Sequence, residues 1–448
     1  MKLLKTLRPA AYALLGMIGL SLNTNAQQLT QNQINTATAF ISGVTPAFEA
    51  YFAGQPVPAT SGQIEQFGRI ASVLCDPNEL SNGNLVFNDP NVLKQALNQL
   101  SPGLYTTLPT ILFNSANVQN TQIQQRLWAV RAGRAHDESV APVADGGKST
   151  TLSGKKVVAP VAEPEQKWVT FADGNGMWSQ AQSVNNLPGY NTYGGGVQIG
   201  ATYEFLKGLS VGPYVGYQGT RVNFNGSNGG GSSATQNSVR YGLMGEYQKG
   251  GWYTDGIIGG AYNSVDVNHG INISGNGNTY SSMANGNVAG GEFDSMLGTG
   301  YEFKAGKLTF GPATSLQYTY LQLGGTQETG AGILNQNIGS QNASSMLYTL
   351  GGQASYTIDL TQSVKLQPFA SLAWQHEFLQ NGYNLTSSIL GQSYNYQTTN
   401  PGRDQYIAGI GGNLVLSKSI SAYAVCNLIN GDQKIFSQAI SGGINWKF

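Results

Sequence analysis

Charge is what this chain is short of. Asp, Glu, Lys and Arg make up 10% of its 448 residues, against about 25% in soluble globular proteins. The 23 basic and 23 acidic side chains cancel to a formal net charge of zero, so no basic surface offers itself to nucleic acid. Histidine is scarcer still: the chain has His136, His269 and His376. None has a second histidine at metal-ligand spacing, and neither H-E-x-x-H nor G-x-S-x-G occurs. No enzymatic activity, metal or cofactor is therefore expected. Two cysteines, Cys75 and Cys426, stand far apart. An oxidising compartment would permit a bridge, but Cys426 falls in an apolar alternation (Ile420, Ala422, Ala424, Cys426, Leu428), which argues against one.

Long apolar runs are missing as well. Past the first 22 residues nothing is apolar enough for a transmembrane helix, and the mean hydropathy is −0.20. That excludes a helical membrane protein. It does not exclude a β-barrel, whose strands alternate so that hydropathy averages away. What the chain has in abundance fits that class: 60 Gly, 23 Tyr and 16 Phe.

The first residues form a positive segment, Met1 to Arg8, then an apolar stretch from Ala10 to Leu22, then Thr24-Asn25-Ala26 with small residues at the cleavage positions. This pattern predicts a removed secretory signal peptide over 1–26, since the apolar stretch falls short of the about 20 residues a spanning helix needs.

Residues 27–132 read as a short, partly helical N-terminal region without internal repeats. Helices are expected near Ile34–Phe52 and Ile64–Leu74. Asp89 is a candidate N-cap with Pro90 at the first helical position, and Ser101-Pro102-Gly103 breaks the run. A longer helix is expected from about Tyr105 to Arg131, with one polar side (Asn117, Gln119, Gln122, Gln124, Gln125, Arg126). Residues 133–166, rich in Pro, Ala and Lys, read as a flexible linker.

From Lys167 the period changes to two. Leu308, Phe310, Pro312, Thr314, Leu316, Tyr318 and Tyr320 share one face, and Thr309, Gly311, Ala313, Ser315, Gln317 and Thr319 the other. Short turns near 205–209, 247–252, 303–308, 360–364 and 416–420 alternate with longer connections near 182–190, 225–237, 268–287, 322–343, 380–401 and 429–433. These eleven connections imply twelve strands, with both ends of the barrel on the side of the short turns. The fold class expected for 167–448 is an all-β, twelve-stranded antiparallel transmembrane β-barrel. A cation facing lipid near the midplane costs about 2–4 kcal/mol, so charges within or at the ends of strands are candidate lumen residues: Arg221, Arg240, Glu246, Asp255, Glu292, Glu302, Lys365, Glu377 and Arg403. His376 and Glu377 are adjacent on a strand and point to opposite faces, so they cannot act as a dyad.

The chain closes on Ile440-Ser441-Gly442-Gly443-Ile444-Asn445-Trp446-Lys447-Phe448, apolar or small at every second position back from the terminus. This resembles the closing strand of bacterial outer-membrane barrels. The resemblance implies that Ile440, Ile444, Trp446 and Phe448 form the signal read by the barrel-assembly machinery. Gly311-Pro312, Leu316-Gln317-Tyr318, Leu366-Gln367-Pro368-Phe369 and Trp374-Gln375-His376-Glu377-Phe378 resemble the autotransporter β-domain, the type V secretion translocator. The helical segment from Ala96 through Leu127 is similar to the one preceding that barrel. The family implies a monomeric barrel in the outer membrane, contacting its lipid, delivered by periplasmic chaperones, with a helix or linker threaded through the lumen. The departure lies at the front: between Ala26 and Lys167 there is no room for a large passenger. Two readings follow. The barrel anchors or translocates its short N-terminal region at the cell surface, or it is a porin-like or adhesin-type barrel whose N-terminal region stays periplasmic or plugs the lumen.

Overall fold

A computed structural model describes residues 29–52, 60–74, 89–137, 167–183, 188–226, 229–380, 382–398, 402–432 and 435–448. The expected signal peptide, Cys75, His136's side chain and most of the expected linker lie outside the described residues.

Twelve antiparallel strands close a barrel. They are β1 (Trp168–Ala181), β2 (Tyr190–Leu206), β3 (Leu209–Phe224), β4 (Ser233–Lys249), β5 (Trp252–Gly275), β6 (Asn278–Tyr301), β7 (Leu308–Leu323), β8 (Gln341–Tyr356), β9 (Lys365–Glu377), β10 (Asp404–Val415), β11 (Ile420–Gly431) and β12 (Ile435–Lys447). Each pairs with its neighbours in sequence, and β12 returns to β1 in register from Val169↔Lys447 to Ala181↔Ile435. The seam is finished by Trp168 and Phe448, whose N–H groups each donate to the other's carbonyl at 3.0 and 2.9 Å. Among the described residues no barrel edge is left unpaired, the condition for a sheet to sit in hydrocarbon.

Alternation sets the two faces. The outer face is apolar: Val239, Tyr241, Leu243, Ile258, Leu297, Leu316, Leu372, Ile410, Ile440 and Ile444 are exposed. At the short-turn end it carries an aromatic band in which Trp168 meets Tyr203 at 5.0 Å, Tyr301 meets Phe303 at 4.7 Å, and Trp446 meets Phe448 at 5.6 Å. Phe436 and Trp446, exposed at opposite ends of β12, are about 25 Å apart along the barrel axis for a strand tilted by about 40°. That matches the height of an outer-membrane apolar band. Cys426 is a free thiol on this face, half-buried.

The connection expected as a loop over 268–287 is instead a continuous hairpin. β5 and β6 pair through to Gly275↔Asn278 and turn on Asn276 and Gly277, both with positive φ (52° and 72°). An Asn-Gly pair makes the type I′ turn whose twist matches the strands. The rest of the stretch stays paired, Asn285-Gly286 included, and rises beyond β4, whose pairing ends at Ser233↔Asn268.

At that end, opposite the short turns, four short strands (326–327, 336–338, 384–389 and 392–397) form a second sheet. Three helices lie there: α1 (Gln31–Phe52) packs on the small sheet, and α2 (Ser61–Leu74) and α3 (Pro90–Gln99) pack on the long hairpin. Asp89 caps α3 by accepting from the Asn91 N–H at 2.7 Å, with Pro90 at the first position. Phe40, Phe67, Ile70, Val73 and Leu100 pack with Ile271, Ile273, Tyr280, Ile333, Leu334 and Ile389 into one core. The outer strand of the small sheet is covered by two side chains of α1. Asn32 donates to the Gln397 carbonyl (2.6 Å) and accepts from its N–H (3.0 Å), and Asn35 donates to the Asn395 carbonyl (2.9 Å). Amides one helical turn apart thus satisfy backbone groups that a neighbouring strand would otherwise take.

Candidate functional site: the occupied lumen

The fourth helix, α4 (Gly103–Asp137), runs down the barrel axis. It is longer at both ends than the expected Tyr105–Arg131. At 35 residues its length is about 52 Å, enough to cross the hydrocarbon core of about 30 Å with turns to spare. Nearest the small sheet its surface is apolar: Leu104, Tyr105, Leu108, Ile111 and Leu112 pack on Val222, Val265, Val267, Val288 and Leu321. Further down Ile123 and Leu127 meet Phe171, Tyr214, Met244 and Ile257, and Trp128 meets Phe369 edge-on at 4.2 Å. Over residues 103–131 the helix is buried or half-buried on every side, which accounts for its weak amphipathicity.

Between these apolar layers lie amides and ions. Ser115 accepts from Gln236 (3.2 Å), Asn117 donates to Gln375 (3.2 Å), Gln119 donates to Gln218 (3.3 Å), and Gln122 accepts from Asn175 (2.9 Å). Gln119 also accepts from Nε of Arg240 at 2.6 Å, while that guanidinium pairs with Glu292 and Asp294 of β6. Asn263 and Thr319 donate to the same two carboxylates at 3.0 and 2.7 Å. Arg126 lies over the Phe171 ring at 3.9 Å and donates to the Met244 sulfur at 2.8 Å. Close to the short-turn end, Arg131 bonds Glu246 (2.8 Å) and Asp255 (2.6 Å), approaches Glu302 (3.5 Å), and rests 3.8 Å from the Tyr253 ring centroid. All four ionic side chains are at least nine-tenths buried. Charges withdrawn from water to this extent persist only when paired.

At the other end of the lumen, Glu328 is a hub. It accepts from the Tyr105 hydroxyl (2.9 Å) and the Gln336 N–H (2.9 Å) and bonds His269 Nδ1 (2.8 Å), while His269 Nε2 bonds the Gln99 carbonyl (2.6 Å). It ties α3, α4, the long hairpin and the small sheet together. In that sheet, burial pushes the Tyr394 phenol well above its ordinary pKa, and its hydroxyl donates to Gln336 at 2.9 Å.

Of the charges expected in the lumen, Arg240, Glu246, Asp255, Glu292 and Glu302 lie against α4 or its immediate partners. Glu377 also faces inward, buried, but it serves a loop: it accepts from the N–H groups of Met346, Leu379 and Gln380 at 2.9, 2.8 and 3.2 Å. Lys365 is largely buried at the short-turn end and pairs with Asp359 at 3.2 Å. Hydrogen bonds from Lys307 and Lys365 hold that carboxyl below the usual range. Arg221 is not in the lumen. Ser210, Tyr214, Gln218, Thr220 and Val222 of β3 face inward, so position 221 faces out and is exposed. It sits near the far end of its strand, where an outward cation costs only about 0–1 kcal/mol. Arg403 precedes β10, half-buried at the rim rather than in the pore. His376 points outward, its Nδ1 2.8 Å from Asp404, which also accepts from Trp374 Nε1 at 2.9 Å. Arg131, Asp173, Asp294 and Glu328 were not singled out from sequence. Asp173 and Asp294 share the inward parity of their buried neighbours, a usable signal. Glu328 lies in an irregular connection, which has no parity to read.

Beside α4, on the β6–β9 side, a cavity of about 140 Å³ is lined by Thr121, Gln124, Gln125, Thr299, Thr314 and Ser315 among others.

A closed, lipid-faced, antiparallel barrel of twelve strands around its own chain defines a class of protein: an outer-membrane translocator-type barrel. The family match is direct. The autotransporter beta-domain model matches residues 170–426, and the chain belongs to that family. Among solved structures it is similar to the translocator domain of the autotransporter NalP from Neisseria meningitidis, at 13% identity and a TM-score of 0.51, covering 75% of this chain and 98% of that one. The beta domain of the Bordetella autotransporter BrkA is matched at 19% identity and a TM-score of 0.46, covering 63% of this chain and all of the other. At such identity the likeness is one of fold. No curated protein sequence matches the chain.

Proposed function

We propose that the protein anchors its own short N-terminal region at the bacterial cell surface, with α4 as the tether that crosses the outer membrane and also seals the pore. The observation that carries this reading is the course of the chain: β1 starts at the short-turn end, and α4 leads from there through the bore to helices packed on the long connections. If the short turns are periplasmic, as in barrels of this kind, residues 29–100 are outside the cell. The signal peptide over 1–26 directs export, and residues 138–166 join tether to barrel. The N-terminal region acts as a fixed cap rather than an effector to be released, because its apolar residues share one core with the barrel's hairpins. The barrel is monomeric, carries out no catalysis, and is assembled by periplasmic chaperones and the barrel-assembly machinery acting on Ile440, Ile444, Trp446 and Phe448, all of which face outward. A porin-like role is disfavoured because α4 and its paired charges occupy the bore.

Protease shaving of intact cells, probed with antibody against residues 27–130, is the direct test. Loss of the epitope without lysis is expected; protection until the outer membrane is breached would place this region in the periplasm.

A further inference from the structure

Charge is sorted by side at the short-turn end. The acids Glu246, Asp255 and Glu302 are buried there and turned inward to Arg131. The exposed charges are lysines. Lys207, Lys249, Lys304, Lys307 and Lys418 stand at four of the five short turns, and Lys167 precedes β1 at the seam. Among the described residues of that end, Asp359 is the one exposed acid, and the half-buried Lys447 and Glu204 offset each other. Residues 133–166 carry four Lys or Arg and five Asp or Glu, a difference of one, so they cannot neutralise this collar. At the opposite end the exposed charges run the other way: Glu65, Asp89, Asp266 and Asp432 against Arg69 and Arg221 among the described residues.

Depth decides what the collar meets. Lys249 pairs in register with Trp252, Lys304 follows Phe303, Lys307 precedes Leu308, and Lys418 lies two residues from both Leu416 and Ile420. All five apolar partners are exposed on the outer face. At about 3.3 Å per residue, the lysines therefore leave the backbone within about 3–7 Å of the end of the apolar band. The head-group layer is about as thick, since a bilayer of about 40–45 Å encloses a hydrocarbon core of about 30 Å. Aromatic side chains mark that boundary, and a lysine stem lies along apolar surface with its ammonium in the polar layer. The collar thus stands at the level of lipid phosphates rather than out in the periplasm. A zwitterionic head group brings its own cation to this level, whereas an anionic one brings net negative charge, which a lysine cluster attracts.

We propose that the short-turn end of the barrel gathers a shell of anionic phospholipid, whose phosphates meet the lysines of the turns. In the orientation proposed above this shell lies in the inner leaflet; that placement rests on the orientation, and the preference for anionic lipid does not.

The test uses the full-length protein in detergent, supplied with equal amounts of phosphatidylglycerol and phosphatidylethanolamine of the same acyl chains. Retained lipids are counted by native mass spectrometry. Wild type is expected to favour phosphatidylglycerol by roughly fivefold or more, which is what one lysine near an anionic surface supplies, and to lose the preference as salt rises. The fourfold variant Lys207→Gln, Lys249→Gln, Lys304→Gln and Lys418→Gln is expected to bring the ratio close to one, whereas Lys→Arg at the same four positions keeps it. Asp359→Asn, which removes the exposed acid of that end, is expected to raise the ratio. Heat-modifiable gel mobility shows that each variant is folded. Equal retention of the two lipids by wild type overturns the proposal, as does an unchanged ratio in the fourfold glutamine variant. So does a wild type without lipid preference that instead retains soluble peptidoglycan fragments through the same lysines, which would turn the collar toward the cell wall.

Discussion

Arg131 is the residue on which the lower half of the plug turns. One cation faces Glu246, Asp255 and Glu302, all of them deeply buried. Removing one partner of such a buried set costs roughly 3–5 kcal/mol, because the others are left uncompensated. Arg131→Ala is therefore expected to lower the temperature at which the barrel loses its heat-modifiable mobility. Arg131→Lys should recover only part of the loss, since an ammonium cannot fork between carboxylates as guanidinium does. An unchanged transition for Arg131→Ala would mean that the three acids do not depend on the arginine. A second residue-scale prediction concerns the cap. A Cβ on Gly43 would stand 2.5 Å from that of Leu390, a residue held at φ 52° in its turn. Gly43→Val is expected to loosen α1 from the small sheet, seen as faster amide exchange at Gln397, whose N–H is bonded to Asn32. The barrel charges were legible because parity assigns an inward face. Of their partners on α4, Gln119 fell on the polar side read from the sequence, whereas Arg131 lay beyond it, at the last residue of the expected helix.

At the level of elements, strand number and the helix break at Ser101-Pro102-Gly103 followed from local chemistry: period two, turn residues and helix-ending Pro and Gly. The small sheet did not, because strands of two to six residues are too short for a period to emerge. The terminal strand is the element most open to test. Deleting Phe448 removes both bonds to Trp168 and the last outward aromatic. The expected outcome is an exported protein that fails to reach the outer membrane; normal outer-membrane levels with heat-modifiable mobility would remove the terminal strand from the assembly signal. The plug makes a parallel prediction. A variant lacking residues 27–137 behind an intact signal peptide should show single-channel conductance in planar bilayers well above that of the whole protein.

Taken whole, the molecule has an inside, an outside and two ends, and each can be labelled. Cysteine placed at Ser281 or Ser393, both exposed on the long-connection end, is expected to react with an impermeant maleimide on intact cells. Cysteine at Lys249 or Lys307, exposed at short turns, should react only after the outer membrane is opened. The reverse pattern would invert the orientation. The course of α4 also has a topological consequence. The barrel is a ring stitched shut between Trp168 and Phe448, α4 is a thread through it, and the helices beyond Gly103 form a stopper bulkier than a bore already filled by one helix, itself about 10–12 Å wide with its side chains. Thread and ring are thus mechanically interlocked as well as covalently joined. Cutting the backbone anywhere in residues 138–166 frees a new end on the side away from the stopper. The severed thread could then leave only outward, past every buried charge pair, and until it did so the two fragments would travel as one body.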